Sequence, residues 1–156
     1  MQSLVLLIWF TLCAEQDIRL RYVADGLTLG GGLCALLYLF TTGHTWLGAV
    51  ADEGAWALAL SMLLTLPMHL AGRLAAADVK LLGTLALATD RMHLLATACG
   101  ALLLVLAWLM LGDRVWAQLS RRLKARLASL APRNANAPPL GPFLLAGFLG
   151  ALMWVR

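Results

Sequence analysis

The chain has 156 residues, 62% of them hydrophobic and only 13% charged, with a mean hydropathy of +0.82; soluble domains use about 45–50% apolar residues. That composition excludes an ordinary soluble domain and leaves room for one integral membrane domain over residues 1–156, with function placed among helices or in short loops. A net charge of +4 would suit nucleic acid in a soluble protein, but in a chain this apolar Lys and Arg report orientation in the membrane, so membrane lipid and no nucleic acid is expected as a partner.

Apolar runs recur at 1–20, 26–42, 54–71, 75–89, 92–112 and 140–155. A membrane-spanning helix needs about 20 residues at 1.5 Å each to cross roughly 30 Å of hydrocarbon. The runs therefore predict an all-α polytopic bundle of about six transmembrane helices, several of them slightly short. The first run lacks the basic segment that precedes the apolar core of a cleaved signal peptide and is read as a membrane helix. In the second, Gly30, Gly31 and Gly32 would let a neighbouring helix approach closely. In the third, His69 beside Pro67 reads as a polar interface residue.

Between the fifth and sixth runs, residues 113–139 leave the apolar pattern. Trp116, Leu119, Leu123, Leu127 and Leu130 recur every three or four positions with basic residues between them, which predicts one basic amphipathic helix over 114–130. It would lie in the cytoplasmic headgroup region against anionic lipid; a solvated connector helix is the plainer alternative. Residues 132–139, rich in Asn, Ala and Pro, form an irregular linker. Cys13, Cys34 and Cys99 lie in apolar runs without CxxC pairing or His at ligand spacing, so they read as packing residues and no metal or cofactor is expected.

If the spans alternate, Arg19, Arg21, Arg73, Lys80, Arg114, Arg121, Arg122, Lys124, Arg126 and Arg133 share one face, and Arg91 and Arg156 the other. The positive-inside rule makes the first face cytoplasmic and puts both termini outside. Length then draws Asp17 inside the last turn of the first span and Asp78 about one turn into the fourth, so both acids enter from the cytoplasmic side to similar depth. A charge at a helix centre costs on the order of 2.5–3.5 kcal/mol on insertion scales, and less near an interface. Two acids at one depth suggest a pair sharing a proton, as in an aspartic protease: one carboxylate takes a proton from water as it attacks the peptide carbonyl, and the other donates to the carbonyl oxygen.

The alternative for each acid alone is structural. Asp17 would cap a helix end or pair with Arg21, and Asp78 would be the N-terminal acid of its helix, paired with Lys80 or Arg73. Glu15 is as deep as Asp17 but points about 200° away at 100° per residue. His44 and His93 fall at the other face without triad partners.

Three stretches also match a family pattern. Asp17-Ile-Arg-Leu-Arg-Tyr-Val-Ala-Asp25 resembles the D-x-R-x-R-x-I-P-N loop of the type IV prepilin peptidases, Ala77-Asp78-Val-Lys-Leu-Leu82 resembles their G-x-G-D-V-K-L segment, and Pro139-Leu-Gly-Pro-Phe-Leu144 resembles their P-F-G-P-F-L. The resemblance implies a GxGD-type aspartic endopeptidase of the bacterial inner membrane that cuts the leader from type IV pilin-like precursors on the cytoplasmic side. Asp17 and Asp78 would be its catalytic pair, with Arg21, Ala75, Ala77 and Lys80 near the site in substrate-binding or structural roles. Two departures stand out: the family's glycines are Ala75 and Ala77 here, and its P-N is Ala24-Asp25. The larger members' cytoplasmic domain with paired cysteines has no counterpart in this sequence, which implies a minimal peptidase without methyltransferase activity. The alternatives are a catalytically silent membrane component of a pilus or secretion assembly, and a small transporter or proton channel. The latter is disfavoured by the lack of an internal repeat and by acids at one face rather than the midplane.

Overall fold

The computed structural model describes residues 2–20, 23–131 and 140–155. Among these are seven α-helices: α1 (Gln2–Leu20), α2 (Asp25–Thr42), α3 (Ala51–Leu70), α4 (Ala76–Ala88), α5 (Arg91–Gln118), α6 (Arg121–Arg126) and α7 (Gly141–Trp154), with a 3-10 turn at Ala128–Leu130. No strand occurs among the described residues. The all-α expectation holds, and each of the six apolar runs is a helix with ends shifted by a few residues. Leu- and Ala-rich runs favour helix, and the breaks fall where local chemistry stops it. α2 ends on Gly43, whose left-handed φ of 71° sends its N–H back to the Leu39 carbonyl. α5 starts from Asp90, whose carboxylate accepts from the His93 backbone N–H at 2.7 Å.

One expectation is corrected. Residues 114–130 are not a single amphipathic helix: α5 runs on to Gln118, the chain is extended at Leu119 and Ser120, and the six-residue α6 and the 3-10 turn follow. The reason is tertiary. Trp108 Nε1 donates to the Leu130 carbonyl at 3.2 Å, whereas an unbroken helix from 108 to 130 would hold the two about 33 Å apart at 1.5 Å per residue. Folding back on α5 therefore requires a break. The linker expected at 132–139 lies outside the described residues.

Three helices build the core that carries the site. The buried residues of α1 are Leu6, Phe10, Cys13, Ala14 and Asp17; those of α4 include Asp78, Leu81, Leu85 and Ala88; those of α7 include Gly141, Leu144, Phe148 and Ala151. Leu6–Phe10–Cys13–Asp17, Asp78–Leu81–Leu85–Ala88 and Gly141–Leu144–Phe148–Ala151 each advance by three or four residues, one helical face. Phe10 and Phe148 meet edge to face at 5.8 Å between ring centroids. Along all three stripes the polar or small member, Asp17, Asp78 or Gly141, lies about seven residues from the central apolar one, which brings all three to one end of the core.

Glycines set the closest approaches. Gly31 faces the Trp9 indole, which a Cβ would meet at 2.7 Å, and Gly32 faces Thr84 Oγ1 at 3.1 Å, so these two do the packing expected of them. Gly30 has no neighbour within 4 Å and lines an apolar cavity of about 390 Å³ between α1 and α2. The tightest crossing is elsewhere: a Cβ on Gly147 would stand 2.5 Å from the Thr97 carbonyl oxygen and 2.8 Å from the Ala101 nitrogen, both backbone atoms of α5. Backbone cannot rotate away as a side chain does, so Gly147→Ala is expected to destabilise by about 1–3 kcal/mol. Thermal unfolding in detergent checks this, with Gly150→Ala, at a position open within 4 Å, as the neutral comparison.

Outside the core, large apolar side chains face outward on every long helix, among them Ile8, Phe40, Leu63, Leu103 and Met110. By length and apolar character together, Arg91–Gln118 is the helix among the described residues that would cross a membrane by itself.

Candidate active site at the ends of α1, α4 and α7

Asp17 lies in the last turn of α1, on the same inward stripe as Phe10 and Cys13, and is only 8% exposed. Asp78, also 8% exposed, is the third residue of α4. Its position follows from the turn before it. Gly72, with a left-handed φ of 70°, closes α3, and His69 Nδ1 lies 2.9 Å from the Leu74 carbonyl oxygen, so His69 staples the α3–α4 turn and is a donor there through Nδ1–H. Ala75 caps α4 without a side-chain hydrogen bond; the Asp78 carboxyl reaches back to the Ala75 backbone instead, the role of the third residue in a capping box.

The two carboxyls are brought within electrostatic reach of each other. The structural role foreseen for Asp78, the acid in the first turn of its helix, is real. The third helix contributes as well: the Gly141 backbone N–H, at the start of α7, donates to Asp17 Oδ2 at 2.8 Å.

The neighbours sort as follows. Lys80 does not pair with Asp78; its Nζ bonds Asp25 Oδ1 at 2.6 Å, tying the start of α2 to α4. Gln16 Oε1 accepts from the Ala24 N–H at 3.0 Å, so the chain after α1 is held against α1 itself. Arg21 lies outside the described residues. Ala75 is exposed and adopts φ −70°, ψ 147°, while Ala77 is helical and half-buried against the core; both conformations suit any L-residue. Glu15, the awkward third acid, is turned outward and pairs with Arg19 at 2.7 Å. Two other acids are engaged elsewhere, Glu53 with Arg91 through two bonds of 2.6 and 2.7 Å and Asp90 with His93. Among the described residues no group of three His, Cys, Asp or Glu side chains could hold a metal ion.

The Lys80–Asp25 bridge is largely exposed, and exposed pairs contribute about 0–1 kcal/mol. Lys80→Met is accordingly expected to change unfolding stability by less than about 1 kcal/mol; a larger loss would show that the bridge is shielded from water at the membrane surface.

Residues 4–112, more than half of the chain and including both Asp17 and Asp78, match the type IV leader peptidase family. The chain belongs to that family. No curated protein and no solved structure matches it. Membership makes the chain a leader-peptidase-like protease, membrane-associated, with a pilin-like precursor as the implied substrate. The matched segment ends before Gly141. Two partners at the site were missed in the sequence: Lys80–Asp25, which spans 55 positions, and Gly141–Asp17, which spans 124. The local signal for the second was the Gly-Pro step that opens α7, within the 139–144 stretch that resembles the family's P-F-G-P-F-L.

Proposed function

We propose that this leader peptidase is an aspartic endopeptidase whose dyad is Asp17 and Asp78, and that it removes the leader from pilin-like precursors at the cytoplasmic face of the bacterial inner membrane. The observation that carries this reading is that two recessed carboxyls, from α1 and α4, lie at one end of the core within electrostatic reach of each other. Two carboxyls that interact this way would share one proton. The ionised member takes a proton from the attacking water while the protonated member donates to the scissile carbonyl oxygen, and the roles reverse as the amine leaves. Arg21, Ala75, Ala77 and Lys80 would line the approach to the pair.

Outward-facing large apolar side chains on α1, α2, α3, α5 and α7 favour lipid around the bundle, and the distribution of Lys and Arg favours both termini outside. In this arrangement α1 to α5 and α7 cross the bilayer. α4 has 13 residues and α7 has 14, about 20 Å each against roughly 30 Å of hydrocarbon. Both begin at the dyad end, so their late starts would leave a recess through which water and an extended peptide reach the acids. Arg121, Arg122, Lys124 and Arg126 of α6 would face anionic headgroups beside it.

The second reading, a silent assembly component, rests on Ala75 and Ala77. Their ordinary backbone conformations remove much of its force, because neither position requires glycine. Co-expression with a pilin-like precursor separates the two, following leader loss by gel shift. The peptidase reading expects cleavage by the wild type and none by an inserted Asp17→Asn/Asp78→Asn double variant. An uncut precursor with wild-type enzyme, together with pilus assembly supported by the double variant, would establish the assembly role instead.

A further inference from the structure

Asp17 lies in α1, and its carboxyl is gripped by a helix that starts 124 residues later. The Gly141 N–H donates to Oδ2 at 2.8 Å, and Gly141 is itself buried. Space around it is closed: a Cβ on Gly141 would stand 2.7 Å from Asp17 Oδ2, 3.1 Å from Asp17 Cβ and 3.3 Å from Ala14 Cα. The first two contacts are to the dyad acid and the third is to α1 backbone, so a side chain at 141 could be admitted only by moving the carboxyl or separating the helices. Local sequence supports the geometry. Pro142 follows Gly141 in the first turn of α7, where a missing N–H costs nothing and φ is preset for helix, leaving the Gly141 N–H as a donor that α7 does not need for itself.

Building on the aspartic reading above, we propose that Gly141 is a positioning residue for Asp17: its N–H fixes the rotation of the carboxyl toward Asp78, and its lack of a side chain lets α7 come close enough to do so. The site is then assembled from three helices, and its third part lies beyond the segment matched to the family. A carboxyl displaced by about 1 Å can cost on the order of 100-fold in rate, so the expected effect falls on kcat.

The test uses full-length enzyme in proteoliposomes with a pilin-like precursor and compares wild type, Gly141→Ala, a backbone ester at 141 made by incorporating glycolic acid, and Leu144→Ala. The ester deletes the N–H and adds no atom. Gly141→Ala and the ester are each expected to lower kcat by on the order of 100-fold with KM within about threefold, and to change the shape of the kcat–pH profile, since a rotated Asp17 no longer shares its proton with Asp78 in the same way. Leu144→Ala, one turn further along α7, is expected to lower unfolding stability while each folded molecule keeps the wild-type profile. Wild-type kcat and pH profile in the ester would overturn the proposal even if Gly141→Ala fails to fold, as would a loss in both that leaves the profile unchanged in shape. Absence of cleavage by the wild type would instead count against the aspartic peptidase reading itself.

Discussion

Replacing either dyad acid by its amide is expected to lower kcat for leader removal by about 10²–10⁴-fold, the range that a positioned acid or base contributes. Asp17→Asn and Asp78→Asn differ from wild type by one atom each, and each amide keeps an oxygen that can accept the existing backbone hydrogen bond, from Gly141 at Asp17 and from Ala75 at Asp78. The fold should therefore survive, and the loss should be chemical. In the proposed dyad the acids act as one unit, so the double variant is expected to be no slower than the worse single variant. Initial rates of leader removal in proteoliposomes, normalised to inserted enzyme, measure both points. A strictly multiplicative double variant would mean that the two carboxyls act independently, and full activity in either single variant would remove that residue from the dyad.

Phe148→Ala is expected to destabilise the bundle by about 3 kcal/mol, the lower end of what truncating a buried Phe costs. Phe148 is completely buried, meets Phe10 edge to face at 5.8 Å, and belongs with Leu81, Leu85 and Leu144 to the cluster that α1, α4 and α7 share. The lower end applies because lipid tails are as apolar as the core, so the loss is of packing rather than of transfer from water. Phe148→Leu, which keeps most of the volume, should cost less than about 1.5 kcal/mol. Reversible unfolding of the purified protein in mixed micelles reads both. Equal losses would show that the aromatic edge contact, rather than filled volume, is what the site of Phe148 supplies. A loss well below 1 kcal/mol would show that neighbouring side chains or lipid close the cavity.

These expectations rest on residues that differed greatly in how visible they were beforehand. The ends of α1 and α4 could be placed from the length needed to cross a bilayer, and that arithmetic alone singled out Asp17 and Asp78 at a common depth. Glu15 could be set aside because 100° per residue turns it off that face, and its bond to Arg19 bears this out. The inward faces themselves were hidden. α1, α4 and α7 are apolar around nearly their whole circumference, since lipid and core accept the same side chains, so periodicity carries no mark of which leucine is buried and which meets a tail. Gly30, Gly31 and Gly32 looked equivalent in the chain, yet two pack and one faces a cavity.

The amphipathic spacing of residues 114–130 illustrates the opposite failure. The period is present, but a hydrogen bond from Trp108 to Leu130 outweighs continuous helix, and local pattern contains nothing about a contact made 22 residues back. Ion-pair choice behaves likewise: Lys80 has Asp78 two positions away and bonds Asp25 instead, because neighbours two apart on a helix do not face each other.

By itself the sequence determined that the chain is helical and apolar and where the helices of its six apolar runs begin and end to within a few residues, and it singled out Asp17 and Asp78 as candidate site acids. Those properties depend on composition, backbone rise and distance along one chain. Only the tertiary structure decided that the two acids come within electrostatic reach of each other, that Gly147 rather than Gly30 makes the closest crossing, and that the Gly141 N–H reaches Asp17. Each of these depends on which helices lie side by side, and in helices apolar on every face that choice is made by backbone shape at glycine and by the fit of Phe10 against Phe148, neither of which repeats along the sequence.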